Sequence, residues 1–240
     1  MMAGALQRIH LGHGVYETLR THPSGMWQEA RHMARLARGA EVLGLELPED
    51  MRERLADLVA PDRRIRIDLH GGDLDSIEGP GVATVSVTHR PFVLQSEPIR
   101  LCTTPVQCPP QPWSGIKTTS MFGHVQARRW ALARGFEDGL LVHGDEVVEA
   151  STANVFALVD GQWHAPGAEA GAVDGVTRQV LLDQVAAVPR LSSAQLARAT
   201  AVALTNTAGI RPATDLDGRT LAVEPVAALQ AVFDEAWQCA

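Results

Sequence analysis

Lysine is almost absent from this chain. Among its 21 lysine and arginine residues only Lys117 is lysine, so every other cationic side chain is a guanidinium. Guanidinium stays protonated at any useful pH, whereas an ε-amine can lose its proton and act as nucleophile or base. A lysine kept where arginine serves everywhere else points to amine chemistry, most simply a Schiff base; the plainer alternative is a surface remnant. Cysteine is scarce as well. Cys102, Cys108 and Cys239 are odd in number and lack CxxC spacing, which argues against a disulfide framework or a zinc site and fits a reducing cytoplasm. His10 and His13 have no acidic or thiol companions, so no metal site is expected. No apolar run approaches the roughly 20 residues that span a bilayer, and residues 1–14 lack the charged-then-apolar pattern of a secretory signal. Net charge is −7 with no basic block, which speaks against nucleic acid or an anionic membrane as partner. Gly71-Gly72 fits neither GxGxxG nor Walker spacing, and there is no internal repeat or low-complexity tract. The expectation is a cytoplasmic protein.

What is present is ordinary for a globular chain: 45% hydrophobic and 20% charged residues over 240 positions, enough for one large domain or two small ones. Residues 15–20 read as a strand closed by a turn at His22-Pro23-Ser24-Gly25. Over 28–43, Met33, Leu36, Ala40 and Leu43 recur at helical spacing. A second helix is expected over 49–59. Ile65, Ile67 and Leu69 alternate with Arg66, Asp68 and His70, the signature of a half-buried strand. Residues 82–87 form another strand, with a glycine-bearing loop between the two, and 99–103 a further one. Three prolines among Pro109, Pro110 and Pro112 then stop regular structure. Beyond them follow a helix over 120–134, strands at 140–142, 147–149 and 152–159, a hairpin turn at Asp160-Gly161, a helix over 177–188, a strand at 201–206, a turn at Asp217-Gly218 and a closing helix from Glu224 to Gln238. The fold class expected is α+β, with two subdomains of mixed, largely antiparallel sheet. The boundaries expected are 1–107 for a smaller subdomain, 108–116 for a linker and 117–240 for a larger cofactor-binding subdomain. Ligand sites often lie where two domains meet, and Lys117 follows the linker directly.

Four segments carry the chemistry. Gly115-Ile116-Lys117-Thr118-Thr119-Ser120 supplies the amine. Glu149 is an acid within an apolar, small-residue strand that runs on through Ser151, Asn154 and Phe156; the plain alternative is a solvent-facing glutamate. Gly171-Ala172-Val173-Asp174-Gly175-Val176-Thr177-Arg178 is a glycine-bearing loop opening a helix, where backbone N–H groups and the Thr177 hydroxyl could hold a phosphate; alternatively Thr177 is an ordinary N-cap. Asn206-Thr207-Ala208-Gly209 is a small polar turn at a strand end.

In this order the segments resemble the class IV aminotransferases, the fold-type IV enzymes that use pyridoxal 5′-phosphate and include D-amino acid and branched-chain aminotransferases and 4-amino-4-deoxychorismate lyase. The resemblance runs from about Gly12 to Gly218. It includes Gly12-His13-Gly14-Val15-Tyr16-Glu17-Thr18-Leu19-Arg20 and His32-Met33-Ala34-Arg35-Leu36. It implies that Lys117 holds the cofactor as a Schiff base and shuttles a proton, and that Glu149 pairs with the pyridine nitrogen. It further implies that Arg35, Val176, Thr177 and Thr207 contact the phosphate, that Val173 packs on the cofactor ring, and that Tyr16 and Ala208 line the substrate pocket. It implies a homodimer. The activity expected is transfer of an amino group between an amino acid or amine and a 2-oxo acid. The alternatives are a lyase releasing pyruvate and 4-aminobenzoate, and a non-catalytic cofactor-binding protein. The chain departs from the family where relatives often carry arginines after the strand 65–69. Here residues 70–75 are acidic and lack arginine, so a substrate carboxylate would need Arg20, Arg66, Arg90 or another subunit. Ser120-Met121-Phe122 also lacks the tyrosine of branched-chain enzymes.

Overall fold

A computed structural model describes residues 12–56, 60–71 and 81–239. Contact clustering divides the chain into two compact units. One contains the described residues up to Val93 together with Ile116–Met121; the other contains Leu94–Gly115 and Phe122–Cys239.

The first unit holds strands β1 (Gly14–His22), β2 (Gly25–Met26), β3 (Leu45–Glu46), β4 (Arg63–His70), β5 (Gly81–Val82) and β6 (Thr84–Pro91), with helices α1 (Glu29–Val42) and α2 (Met51–Ala56). Its main sheet runs β2-β1-β4-β6, all antiparallel, while β3 and β5 form a short parallel pair. Alternation decides which side each residue takes. Val15, Leu19, Ile65, Ile67 and Leu69 enter a core shared with Leu36 and Ala40 of α1 and with Ile116. The expected stripe of α1 is there, but its buried face also contains His32 and Arg35. Polar and charged side chains on a core face need a partner, and Glu17 of β1 supplies it. The loop expected between β4 and β5, over 72–80, and residues 57–59 of the expected second helix lie outside the described residues.

The second unit holds β7 (Ile99–Gln107), β8 (Asp138–His143), β9 (Glu146–Ala150), β10 (Asn154–Val159), β11 (Gln162–His164), β12 (Ala187–Val188), β13 (Ala201–Asn206), β14 (Gly209–Leu216) and β15 (Arg219–Thr220). Its helices are α3 (Phe122–Leu132), α4 (Val176–Leu182), α5 (Ser193–Arg198) and α6 (Ala227–Gln238). The strands form one mixed sheet in the order β12-β11-β10-β13-β14-β7-β8-β9, with β15 on β14. Its core includes Leu101, Leu140, Val147, Val155, Val202 and Leu204. The β10–β11 hairpin turns on Asp160 and Gly161, both at positive φ, 50° and 79°, which matches the twist of the flanking strands.

Three expectations change. Residues 99–107, placed by sequence with the first subdomain, pair in parallel with β14 and β8 of the second unit. The proline-bearing stretch is also part of the second unit rather than a free tether, and the Cys108 N–H donates to the Val142 carbonyl at 2.8 Å. The helix expected over 177–188 stops at Leu182, because Ala187 and Val188 join β11 in parallel; pairing overrides a local helical preference.

Candidate functional site

In the first unit, Lys117 lies on a segment docked along β1. The Tyr16 N–H donates to the Lys117 carbonyl at 2.8 Å, and the Thr119 N–H donates to the Gly14 carbonyl at 2.8 Å. Val15 and Thr118 form an antiparallel bridge between these bonds. Thr119 and Ser120 hydroxyls donate to the Gly12 carbonyl at 3.1 and 3.0 Å. The backbone around the lysine is therefore fixed, while its side chain is half-buried. The Lys117 ammonium lies 4.6 Å from the centre of the Tyr16 ring, and the Arg66 guanidinium lies 3.8 Å from the same ring. The Tyr16 hydroxyl donates to the Met121 sulfur at 3.5 Å.

Strand alternation puts a cationic surface beside Tyr16. Register pairs Arg20 with Arg64 and Arg64 with Arg90; the next rung pairs Thr18 with Arg66 and Arg66 with Thr88. All of these residues lie opposite the core face. Like charges directly opposed across strands are unfavourable. Burial, then Arg90 and Arg66, lower the Arg64 pKa. The Asp68 carboxylate balances Arg66, with oxygens 2.6–3.0 Å from its nitrogens.

On the core face, Glu17 is 1% exposed and His32 0%. Arg35 Nε and Nη2 donate to the two Glu17 oxygens at 2.6 and 2.8 Å, and His32 Nδ1 lies 2.8 Å from Glu17 Oε2.

In the second unit, Glu149 projects from β9 and is 4% exposed. Its Oε2 accepts the Val173 N–H at 3.1 Å and the Asn154 amide at 3.3 Å. The same Asn154 amide donates to the Val173 carbonyl at 2.8 Å, so both peptide groups of Val173 are tied into one array. Glu149 Oε1 lies 3.0 Å from His124 Nε2. Burial, then the Glu149 charge, push the Cys108 thiol up to about 11, so it stays protonated at neutral pH. Gly175 is the N-cap of α4, with no side-chain cap bond. Thr177 is therefore not the cap; it lies inside the first turn, buried, and its Oγ1 has no hydrogen-bond partner among the described residues. Val176 is buried beside it. Arg178 Nη2 donates to the Ala165 carbonyl at 2.9 Å, a tie to the chain ahead of the glycine loop. Thr207 and Ala208 form the half-buried turn between β13 and β14. That turn is pinned by the Ala208 N–H donating to Asn206 Oδ1 and the Gln95 N–H donating to the Ala208 carbonyl, each at 2.8 Å.

A family model described as aminotransferase class IV matches residues 14–216. The chain belongs to the class IV aminotransferase family. D-alanine aminotransferases of Listeria monocytogenes and Staphylococcus epidermidis are each 25% identical over alignments of 197 and 190 residues, gaps included, that cover 72% and 71% of this chain. The chain spans 65% of the length of each of these relatives. A fold IV transaminase from Curtobacterium pusillum superposes with a TM-score of 0.83 at 24% identity, over 95% of this chain and 87% of the other. A protein from Legionella pneumophila, provisionally assigned as a 4-amino-4-deoxychorismate lyase, gives 0.83 at 24%, over 95% and 93%. The fold is the fold-type IV architecture that the motifs imply.

Within this member of the family, the first unit carries Lys117, Tyr16 and Arg35 among the expected site residues, and the second carries Glu149, Val173, Val176, Thr177, Thr207 and Ala208. Lys117 and Tyr16 are in ring contact, whereas two guanidinium nitrogens of Arg35 are engaged by Glu17. Sequence reasoning did not single out His124 or Asn154. Asn154 was legible as the polar member of the motif that begins at Glu149. His124, a lone histidine on a helix, carries no pattern of its own.

The array around Glu149 leaves little room for substitution. A Cβ on Gly175 would collide with Asn154 Oδ1, which would push the Asn154 amide off both Glu149 and Val173. Gly175→Ala is expected to cost about 1–3 kcal/mol, lowering the thermal midpoint by roughly 2–10 °C in a melt of the purified chain.

Proposed function

We propose that this chain is a pyridoxal 5′-phosphate-dependent transaminase that moves an amino group between an amino acid or amine and a 2-oxo acid, with Lys117 as the amine that bonds the cofactor and carries the proton. The observation that carries the reading is Glu149, a carboxylate buried on an apolar strand with neutral amide donors on one oxygen and a histidine on the other. Burial of an acid in this way is costly and suits a protonated pyridine nitrogen.

The donor set fits the cofactor. Glu149 would hold the pyridine nitrogen. The buried Thr177 hydroxyl, without a partner among the described residues, is a donor in search of an acceptor, as a phosphate oxygen would be, with Val176, Thr207 and Arg35 as further phosphate contacts. Val173, already fixed by Glu149 and Asn154, would support the ring. Bound there, pyridoxal phosphate supplies an electron sink for the pair left when a bond at the substrate α-carbon breaks. Lys117 would take the proton leaving that carbon and return it elsewhere, a step that needs an amine able to cycle between protonation states. The fixed backbone beside Tyr16 aims it. Tyr16 and Ala208 would bound the substrate, and the arginines on the Tyr16 side of the sheet would receive its carboxylate, which relieves the opposed charges of Arg64 and Arg90 and answers the missing arginine after β4.

The test uses the full chain incubated with pyridoxal 5′-phosphate. A visible absorption band should appear. Addition of D-alanine or L-glutamate with a 2-oxo acid should then yield the corresponding new oxo acid. Pyruvate and 4-aminobenzoate from aminodeoxychorismate, without amino transfer, would replace the transaminase reading with the lyase. Failure to take up the cofactor would end both.

A further inference from the structure

We propose that His124 is a positioning residue for Glu149, fixing the direction of the carboxylate oxygen that would face the cofactor's pyridine nitrogen. This rests on the proposed role of Glu149. The two oxygens are served unequally. Oε2 takes both amide donors, the Val173 N–H and the Asn154 side chain, and these belong to one mutually bonded array. Oε1 faces His124 alone, at 3.0 Å. Among the described residues, His124 is the ion-pair partner recorded for Glu149, and no lysine or arginine reaches it. Without the imidazole only Oε2 would be anchored, and the carboxylate plane could tilt about that oxygen.

His124 stands in the first turn of α3, with its side chain 19% exposed. A carboxylate oxygen has two lone-pair directions. With the imidazole N–H on one, the other stays open to an N–H from the pyridine ring. His124 therefore aims Oε1 toward the place that N–H would take.

The experiment titrates pyridoxal 5′-phosphate into the full-length wild type, His124→Leu, His124→Gln, Glu149→Gln and the Leu/Gln double variant, reading affinity, visible spectrum, and kcat and KM separately. His124→Leu should weaken cofactor binding about 10-fold and move the visible band. It should lower kcat while leaving KM for the amino substrate within about 2-fold, since His124 does not touch substrate. His124→Gln keeps a donor at similar reach and should recover most of the affinity. On the Glu149→Gln background, His124→Leu should add little. Wild-type affinity and spectrum in His124→Leu would overturn the proposal while leaving the role of Glu149 intact. An undiminished effect of His124→Leu on the Glu149→Gln background would overturn it also, because His124 would then act elsewhere. A wild type that takes up no cofactor would overturn the role of Glu149 and this proposal together.

Discussion

Lys117→Arg should abolish amine transfer, with turnover down by at least about 10³-fold, in a protein that folds as well as the wild type. The two halves of that statement have different causes. Stability is preserved because Lys117 is held through its backbone: its carbonyl accepts the Tyr16 N–H, and the following residues bond to Gly14 and Gly12. Any L-residue keeps those bonds. The side chain's own contact is with the Tyr16 ring, and a guanidinium stacks there at least as well as an ammonium. The melting curve should therefore shift by no more than about 0.5 kcal/mol in stability terms. The chemistry fails because arginine cannot give up its proton at neutral pH. Borohydride treatment of the cofactor-loaded protein, followed by peptide mass analysis, should add the cofactor's mass to the peptide containing residue 117 in the wild type and to none in Lys117→Arg. Turnover within 10-fold of wild type in that variant would remove Lys117 from the mechanism.

The lysine was legible from sequence because its rarity is a composition signal that needs no fold. Strands with strict alternation, such as Ile65-Ile67-Leu69, were legible for the same reason: one face of a sheet imposes a period of two on a local stretch. What escaped were features made by pairing at a distance. The strand over Ile99–Gln107 has no local mark saying which sheet it joins; register with β14 and β8 decides that. Ala187 and Val188 read as the end of a helix until Trp163 and His164 claim them. At the site, Glu149 and Thr177 stood in quoted motifs, but His124 became visible only once α3 had brought it against β9. The helical spacing of Met33, Leu36, Ala40 and Leu43 marked the apolar part of the α1 face, but the burial of His32 and Arg35 beside it makes sense only when Glu17 is seen on the facing strand.

That last array should dominate the acid behaviour of the first unit. Glu17, His32 and Arg35 are all buried. Burial alone would raise the Glu17 pKa, but the Arg35 charge and the bonds from His32 and Arg35 overrule it and bring the carboxyl to about 2, against 4.5 unperturbed. A carboxyl with a depressed folded-state pKa contributes stability that is present above its unfolded value and lost as pH falls from about 4.5 toward 2. The size is on the order of 3 kcal/mol. His32 acts in the same direction. Its pKa is lowered from 6.5, first by burial and then, against the pull of Glu17, by the charges of Arg35 and Lys117. The unfolded chain thus binds a proton that the folded one refuses, and stability starts to fall below about 6.5. Denaturant midpoints should be flat near neutrality, decline from about pH 6.5 and drop steeply below 4.5. Glu17→Gln keeps the shape but removes the charge, taking from the Arg35 guanidinium the carboxylate that holds two of its nitrogens. Stripping one partner from a buried ion pair costs about 3–5 kcal/mol, so Glu17→Gln should be among the most damaging single substitutions in this unit at pH 7, and its midpoint should no longer fall further below pH 4.5. Glu17→Leu combined with Arg35→Met removes the charges together and should lose less than either change alone. A wild-type midpoint that stays level from pH 7 to pH 4, or a double variant worse than both singles, would show that packing rather than charge pairing holds α1 to β1.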